Sequence, residues 1–167
     1  MVHSLSCLDE VVGSKLTGIA RILYEFNGEI EPDDGAVELT SEGFTALLEG
    51  SGDGESLRVR EAAWKDPFEA PLSPDNYRYA QEHGRWRRID CSTLPNYSDL
   101  VGREVTEIRP LANEHGRIAG LRISVPNRTM WFVVQGDECH VRWAHPTGFT
   151  EAPRPGQPPT PPPVALL

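Results

Sequence analysis

The sequence VGREVTEIRPLANEHGRIAGLRISVPNRTMWFVVQGDECHVRW, residues 101–143, decides the fold because its pattern occurs twice. The other copy lies upstream, in residues 12–61. At an offset of 89 residues, the first copy falls on identical or similar residues of the second. The matched pairs are Val12 with Val101, Gly13 with Gly102, Leu16 with Val105, Thr17 with Thr106, and Ile19 with Ile108. Self-similarity at a fixed spacing indicates a duplicated structural unit.

The offset decreases along the chain, and each decrease coincides with turn-forming residues. At an offset of 88, Gly28 falls on Gly116 and Ile30 falls on Ile118. At an offset of 82, GESLRVRE, which begins at Gly54, falls on GDECHVRW, which begins at Gly136. The decrease from 88 to 82 is accounted for by insertions near residues 32–35 and 51–54, since turns accept extra residues. We interpret the pattern as two copies of one unit, with chance similarity as the alternative.

Each copy has the features of an antiparallel β unit. A short helical turn precedes it, with Asp9 or Ser98 as the expected cap and a glycine as the expected stop. Residues 16–26 are apolar and β-branched, and Asn27-Gly28 after them is a strong signal for a tight hairpin. A second turn is expected at residues 33–35, before a strand over residues 36–41.

Residues 41–50, SEGFTALLEG, fit either a short helix capped by Ser41 or a strand. Their counterpart in the second copy, residues 130–136, reads MWFVVQG, and this β-branched and aromatic composition favours a strand. Because duplicated units share topology, we predict a strand in both copies. The last strand of each unit is expected at residues 57–61 and 139–143, with Cys139 and His140 on opposite faces.

The remaining segments connect and follow the two units. Residues 65–93 form a connector, in which residues 77–81 and 85–90 around His83-Gly84 suggest another hairpin. Residues 151–167 are rich in proline, which predicts a flexible or polyproline tail. The sequence thus predicts a mainly β protein with short helical turns, whose two similar antiparallel units pack as a sandwich or barrel-like fold. The proposed parts are residues 1–64, 65–93, 94–150 and 151–167.

Charge is distributed unevenly between the two copies. The chain of 167 residues has a net charge of -9, yet residues 1–75 carry 5 basic and 16 acidic residues, while residues 76–167 carry 11 and 9. An acidic surface attracts basic proteins and repels the phosphates of nucleic acids. The acidic residues expected to contact a basic protein partner are Asp33, Asp34, Glu38, Glu42, Glu49, Asp53 and Glu55. Solvated charge that only improves solubility is the alternative.

The sequence contains no catalytic or metal-ligand pattern. Residues 49–56, EGSGDGES, carry too many carboxylates for a phosphate loop and too few ligands for a calcium loop, which favours a hairpin turn. Cys139 is expected to be a buried structural cysteine rather than a nucleophile. The basic run from Arg85 to Arg88, RWRR, resembles a nucleic-acid contact, but the acidic charge of the chain opposes that function. We expect no cofactor, no metal and no nucleic-acid partner.

A second hypothesis places a small-molecule site or an enzyme active site between the two copies. Its candidate residues are His83, His115, Arg142 and Trp143, because both histidines occur in an EHGR motif and the other two end the second copy. A third hypothesis is a purely structural or assembly protein. No run of about 18 apolar residues is present, so no membrane span is expected. The odd number of cysteines favours reduced thiols in the cytoplasm.

Residues 100–123, LVGREVTEIRPLANEHGRIAGLRI, and the later GDECHV resemble small β-rich bacterial domains of uncharacterised function. Some of those domains are associated with immunity proteins of polymorphic toxins. The resemblance covers about fifty residues of the second copy, and its motifs are turns and strands. It implies an immunity or antitoxin-like protein that neutralises a partner by occlusion and has no catalytic residues.

Overall fold

The structure, a computed structural model, describes residues 5–68 and 70–154. Within these residues, ten strands form two antiparallel sheets, accompanied by one α-helix and two short 3-10 helices, Leu5–Glu10 and Tyr97–Asp99. The strands and the helix are β1 (Leu16–Phe26), β2 (Glu29–Ser41), β3 (Phe44–Gly50), β4 (Leu57–Glu61), α1 (Pro74–His83), β5 (Arg85–Asp90), β6 (Glu107–Ala112), β7 (Ile118–Val125), β8 (Arg128–Gln135), β9 (Glu138–Arg142) and β10 (Thr150–Glu151).

The two sheets have the same topology. The first sheet has the order β4-β3-β2-β1-β5, and the second has the equivalent order β9-β8-β7-β6-β10. In each sheet four consecutive strands form a meander, and a later strand returns to pair with the first strand of that meander. The duplication inferred from the sequence therefore extends to a fifth strand in each sheet.

The segments that precede β1 and β6 pair with each other across the two units. The Gly13 N–H donates to the Val105 carbonyl at 2.8 Å, and the Gly102 N–H donates to the Leu16 carbonyl at 2.7 Å. In each bond, adding 89 to the residue number in the first unit and subtracting 89 from the residue number in the second unit gives the other bond. The repeat seen in the sequence is thus a pseudo-twofold relation, whose axis passes near the bridge between Lys15 and Glu104.

The two sheets pack face to face as a sandwich around one shared core and do not close into a barrel, which confirms the predicted fold class. Ile19 and Ile108, matched by the 89-residue offset, are both buried in this core. Leu48 from the first sheet and Phe132 from the second belong to the same cluster. Neither sheet alone buries its inner face, so the two units depend on each other for their core.

Two local predictions from the first copy are confirmed. Asn27 and Gly28 form the β1–β2 turn with φ of 52° and 77°, the left-handed conformation that Asn and Gly tolerate best. Residues 44–50 form β3, not a helix. Leu48 faces the core, whereas Leu47 on the opposite face is also buried. Burial of both faces explains why this strand lacked a clear alternation in the sequence.

The predicted hairpin in the connector is wrong, because residues 74–83 form the helix α1. The Ser73 hydroxyl accepts a hydrogen bond from the Asn76 N–H at 3.1 Å, and Pro74 fits the first helical position. Gly84, at φ 73°, ends the helix. The strand predicted at residues 85–90 is present as β5, but it pairs with β1.

The turn expected at residues 33–35 is also wrong, since these residues belong to β2 as a large bulge. In the pairing of β1 with β2, Leu23 lies opposite Gly35, and the next pair is Glu25 opposite Ile30. The strand β2 therefore has several extra residues between these two pairs. A Cβ atom at Gly35 would lie 2.0 Å from the Ile22 carbonyl oxygen, so the close approach at the end of the bulge requires glycine.

The short helical turns are present, with caps that differ from the prediction. Asp9 and Ser98 lie inside the 3-10 helices and do not begin them. The glycines expected to stop each turn, Gly13 and Gly102, have φ of 85° and 81°. The greater part of the predicted proline-rich tail, residues 155–167, lies outside the described residues.

Candidate functional site

Two of the seven acidic candidates lie in the bulge of β2 and contact the second unit. The Asp34 carboxylate accepts a hydrogen bond from the Cys139 N–H at 2.7 Å. The Asp33 carbonyl lies 2.9 Å from Nδ1 of His140, while the Asp33 side chain is exposed. The bulge therefore fastens the long β1–β2 hairpin to β9. A buried arginine, Arg21, adds to this junction by donating to the Gly35 carbonyl at 3.1 Å.

Two further candidates, Glu38 and Glu49, form ion pairs within the first sheet. The Glu38 side chain is buried and accepts from Arg88 at 2.9 Å and from the Trp64 N–H at 2.7 Å. Glu49 accepts from Arg60 at 2.6 Å. Their charges are balanced inside the chain, so they attract a basic partner less than unpaired carboxylates do.

The loop between β3 and β4 contains Asp53 and Glu55. The Asp53 carboxylate accepts from the hydroxyls of Ser51 and Ser56, both at 2.6 Å, and these bonds hold the pKa of Asp53 well below its usual range. The guanidinium of Arg117, in the β6–β7 loop, lies 3.0 Å from Glu55. These contacts organise a hairpin loop, and no group of three metal-binding side chains occurs among the described residues.

The last of the seven candidates, Glu42, is exposed in the β2–β3 turn. Among the described residues, Asp33 and Glu42 are thus the two candidates that are exposed and whose carboxylates form no hydrogen bond or ion pair. Sequence position alone does not distinguish them from the paired carboxylates, because the basic partners come from distant segments.

The four residues of the alternative small-molecule site have different neighbours. His83 ends α1 and lies against Tyr79, with ring centroids 4.6 Å apart, whereas His115 is exposed in the β6–β7 loop. The Trp143 ring packs on Tyr97, and Arg142 is exposed at the end of β9. His115 lines a cavity of about 150 Å³ together with Glu55 and Phe149, and the other three side chains are not part of that lining.

The Cys139 thiol has the environment of a structural cysteine. Its side chain lies in the shared core, and His140 faces the other side of β9, as predicted. Burial raises the pKa of the Cys139 thiol to about 11, so it remains protonated at neutral pH. A nucleophilic role would need a thiolate and a nearby base, which this arrangement does not provide.

The most exposed surface of the first unit is the end of the β1–β2 hairpin, residues 26–33, which we call the acidic arm. Every residue of the arm is exposed, including Phe26 at 41% and Ile30 at 39%. Glu29 pairs with Phe26 across the hairpin and shares its face, whereas Ile30 pairs with Glu25 on the opposite face. An exposed apolar anchor with a charged rim is typical of a protein-binding site.

Other exposed aromatic side chains lie on the elements next to the arm. Tyr77 and Tyr79 on α1 are 55% and 52% exposed, and Trp86 on β5 is 43% exposed. Tyr77 borders a cavity of about 320 Å³ together with Asn27 at the arm turn. Trp86 packs edge to face on Tyr24 of β1. Of the large apolar side chains that are exposed in the described chain, Leu94 is the one outside these elements.

Sequence reasoning missed the arm because it weighed carboxylates and not the apolar residues between them. The available signal was the pair Phe26 and Ile30 on either side of the Asn27-Gly28 turn, in a hairpin whose second strand is interrupted by the acidic insertion. Comparisons of the chain with protein-family models, curated proteins and solved structures found no match. Among the residues described, no helix is long and apolar enough to cross a membrane.

Proposed function

We propose that the chain is a non-enzymatic protein-binding module, an immunity or antitoxin-like factor that occludes a basic partner protein with its acidic arm. The single observation that supports this function is the exposure of Phe26 and Ile30, one on each face of an arm that also carries the exposed residues Glu29, Glu31 and Asp33. Large apolar side chains at the centre of an interface contribute most of its binding energy. Rim carboxylates mainly increase the association rate with a basic surface.

The way the arm is held supports the same function. The bulge of β2 is fastened to β9 by Asp34 and the Asp33 carbonyl, so the arm extends from an anchored base. A preorganised binding element loses less conformational entropy when a partner binds. The paired carboxylates Glu38 and Glu49 then serve mainly to hold the first unit together, and Asp53 and Glu55 pair with Arg117 of the second unit. The arm replaces all four as the proposed contact surface.

A binding experiment with the protein encoded beside this chain tests the proposal. The double substitution Phe26→Ala with Ile30→Ala should weaken binding by at least about thirtyfold, the effect of losing about 2 kcal/mol at a hot spot. The matched control is Leu94→Ala, which truncates an equally exposed side chain outside the arm and should leave the affinity unchanged.

The charge component is tested by Glu29→Gln, Glu31→Gln and Asp33→Asn together. These substitutions should lower the association rate at low salt and flatten its dependence on salt concentration. Binding that is insensitive both to salt and to the arm variants would contradict the proposal, as would the lack of any basic partner.

A further inference from the structure

The acidic arm exposes one large apolar side chain on each of its two faces. In the pairing of β1 with β2, Phe26 lies opposite Glu29, and Ile30 lies opposite Glu25. Directly opposed residues of antiparallel strands share a face, whereas consecutive residues of one strand point to opposite faces. The side chains of Phe26 and Ile30 therefore project in opposite directions, and both are exposed.

The arm also extends beyond the neighbouring strands of its sheet. The strand β5 pairs with β1 only as far as Glu25, and β3 pairs with residues 37–41 of β2, so residues 26–33 lie beyond both pairings. Because a strand advances about 3.3 Å per residue, the turn at Asn27 projects about 7 Å past the end of β5. A partner can thus contact this two-stranded ribbon from both sides at once.

The two faces of the arm differ in charge. On the Phe26 face, Glu29 is exposed and forms no ion pair among the described residues. On the Ile30 face, the Glu25 carboxylate is paired with an arginine of β5 at 2.5 Å, and Arg85 lies opposite Glu25. A basic surface is therefore attracted to the Phe26 face, whereas the arginines disfavour a basic group against the Ile30 face.

We infer that the arm inserts into a cleft of its basic partner, with basic groups of one wall against Phe26 and Glu29 and apolar side chains of the other wall against Ile30. The inference rests on the proposed function and specifies the shape of the partner's site. A flat surface contacts one face of a ribbon and leaves the other apolar side chain in water, whereas a cleft removes both from water. Insertion also explains occlusion, because a cleft filled by the arm is closed to other ligands.

A second copy of this chain fits the arm less well than a basic cleft. The arm has no lysine or arginine, and its three acidic residues are Glu29, Glu31 and Asp33. Two arms would therefore repel each other, and the net charge of -9 opposes association of two copies in general. Charge complementarity favours a partner of opposite charge.

The inference is tested by NMR cross-saturation on the full, isotope-labelled chain, with the unlabelled protein encoded beside it as the probe. Saturation of the partner's protons should transfer both to the ring of Phe26 and to the δ-methyl group of Ile30, so that both signals lose intensity. Leu94, which is similarly exposed but lies outside the arm, is the matched control and should keep its intensity.

Single substitutions test the two walls separately. Phe26→Ala and Ile30→Ala should each weaken binding about fivefold or more, because each removes the anchor of one face. Phe26→Leu and Ile30→Val, which keep an apolar side chain, should weaken binding less. Glu29→Gln should lower the association rate at low salt, whereas Ile30→Ala should mainly increase the dissociation rate.

Saturation transfer to only one of the two anchors, or a loss of affinity in only one of the alanine variants, would overturn insertion and leave the arm as a surface that binds through one face. Absence of binding, or binding that no arm variant changes, would overturn both the inference and the proposed function. Signals of Phe26 and Ile30 that shift with the concentration of the free chain would assign both faces to a second copy and would also overturn the inference.

Discussion

The two sheets share their topology, but they differ in the hairpin that joins their first two strands. In the first sheet β1 and β2 contain 11 and 13 residues, whereas β6 and β7 in the second sheet contain 6 and 8. The additional residues of the first hairpin form the bulge and the acidic arm. The short β6–β7 hairpin ends in a compact loop, in which the Asn113 side chain accepts from the N–H groups of His115 and Arg117.

The segments that follow the four-strand meanders also differ, and the longer one again belongs to the first sheet. The connector passes over the outer face of the first sheet, where the Trp64 N–H bonds Glu38 and Leu47 is buried beside it. The segment between β9 and β10 is much shorter. The features common to both units are those that build the shared core. The features found only in the first unit are the arm and the connector, and the arm is the candidate binding surface.

Substitutions in the shared core should have the largest effect on stability, and they test whether the two sheets contribute equally to that core. Ile19→Ala and Ile108→Ala remove equivalent buried side chains from the two sheets, and each should lower the free energy of unfolding by about 2–5 kcal/mol. Urea denaturation followed by tryptophan fluorescence and by circular dichroism should show one transition for each variant. Two separate transitions, or a large loss for one substitution only, would mean that the units do not share a core.

The pseudo-twofold junction between the units predicts a second matched pair. Gly13→Ala and Gly102→Ala place a side chain at φ of 85° and 81°, which costs about 1–2 kcal/mol for an L-residue. A Cβ atom at either position has no neighbour within 4 Å, so the cost is conformational and should be equal in both variants. Gly52→Ala, also in open space but without a positive φ, should change stability little. Unequal losses at Gly13 and Gly102 would argue against the symmetry.

The β3–β4 loop, which the second unit replaces with a two-residue turn, predicts a pH-dependent difference. The pKa of Asp53 is lowered in the folded chain, so its stabilising effect is complete above the usual value of 3.8 and is lost as the pH falls below it. Between about pH 5 and pH 2, Asp53→Asn should therefore lose less stability than the wild type. Ser51→Ala and Ser56→Ala, which remove two donors to Asp53, should reduce the same slope. Identical acid denaturation curves for all variants would contradict this account.

The smallest effect on stability is expected at the acidic arm. Phe26→Ala and Ile30→Ala remove exposed side chains, and each should change the free energy of unfolding by less than about 0.5 kcal/mol. Thermal denaturation of both variants measures this directly. A much larger loss would mean that the arm packs against the body of the first unit, and its apolar residues would then be structural.

The arrangement of the strands could be predicted largely from sequence because it depends on local and repeated signals. The Asn27-Gly28 turn requires left-handed backbone at both residues, and this requirement is visible in two adjacent letters. The strand at residues 44–50 was inferred from its counterpart in the second copy, since the duplicated units share topology. The helix α1 was missed, although Ser73-Pro74 is a recognisable helix start, because the aromatic residues after it resemble a strand.

The candidate site was less accessible to sequence reasoning. Seven carboxylates were selected from the charge of the first copy, and the structure pairs several of them with arginines brought from other strands and loops, as in Glu38 with Arg88 and Glu55 with Arg117. Whether a carboxylate is paired or free depends on which distant cation folds next to it. For the same reason the cavity beside β5 could not be predicted, since it requires both the edge position of that strand and the placement of Trp64, Phe68 and Leu72 next to it.

By itself, the sequence determined that this protein is built from two antiparallel β units and that the first is strongly acidic. Both properties follow from periodicity, turn residues and composition, which act over short stretches of chain. Only the tertiary structure decided which acidic residues remain available to a partner and where apolar side chains stay exposed. Exposure and ion pairing are set by contacts between segments far apart in sequence, such as the bulge of β2 against β9.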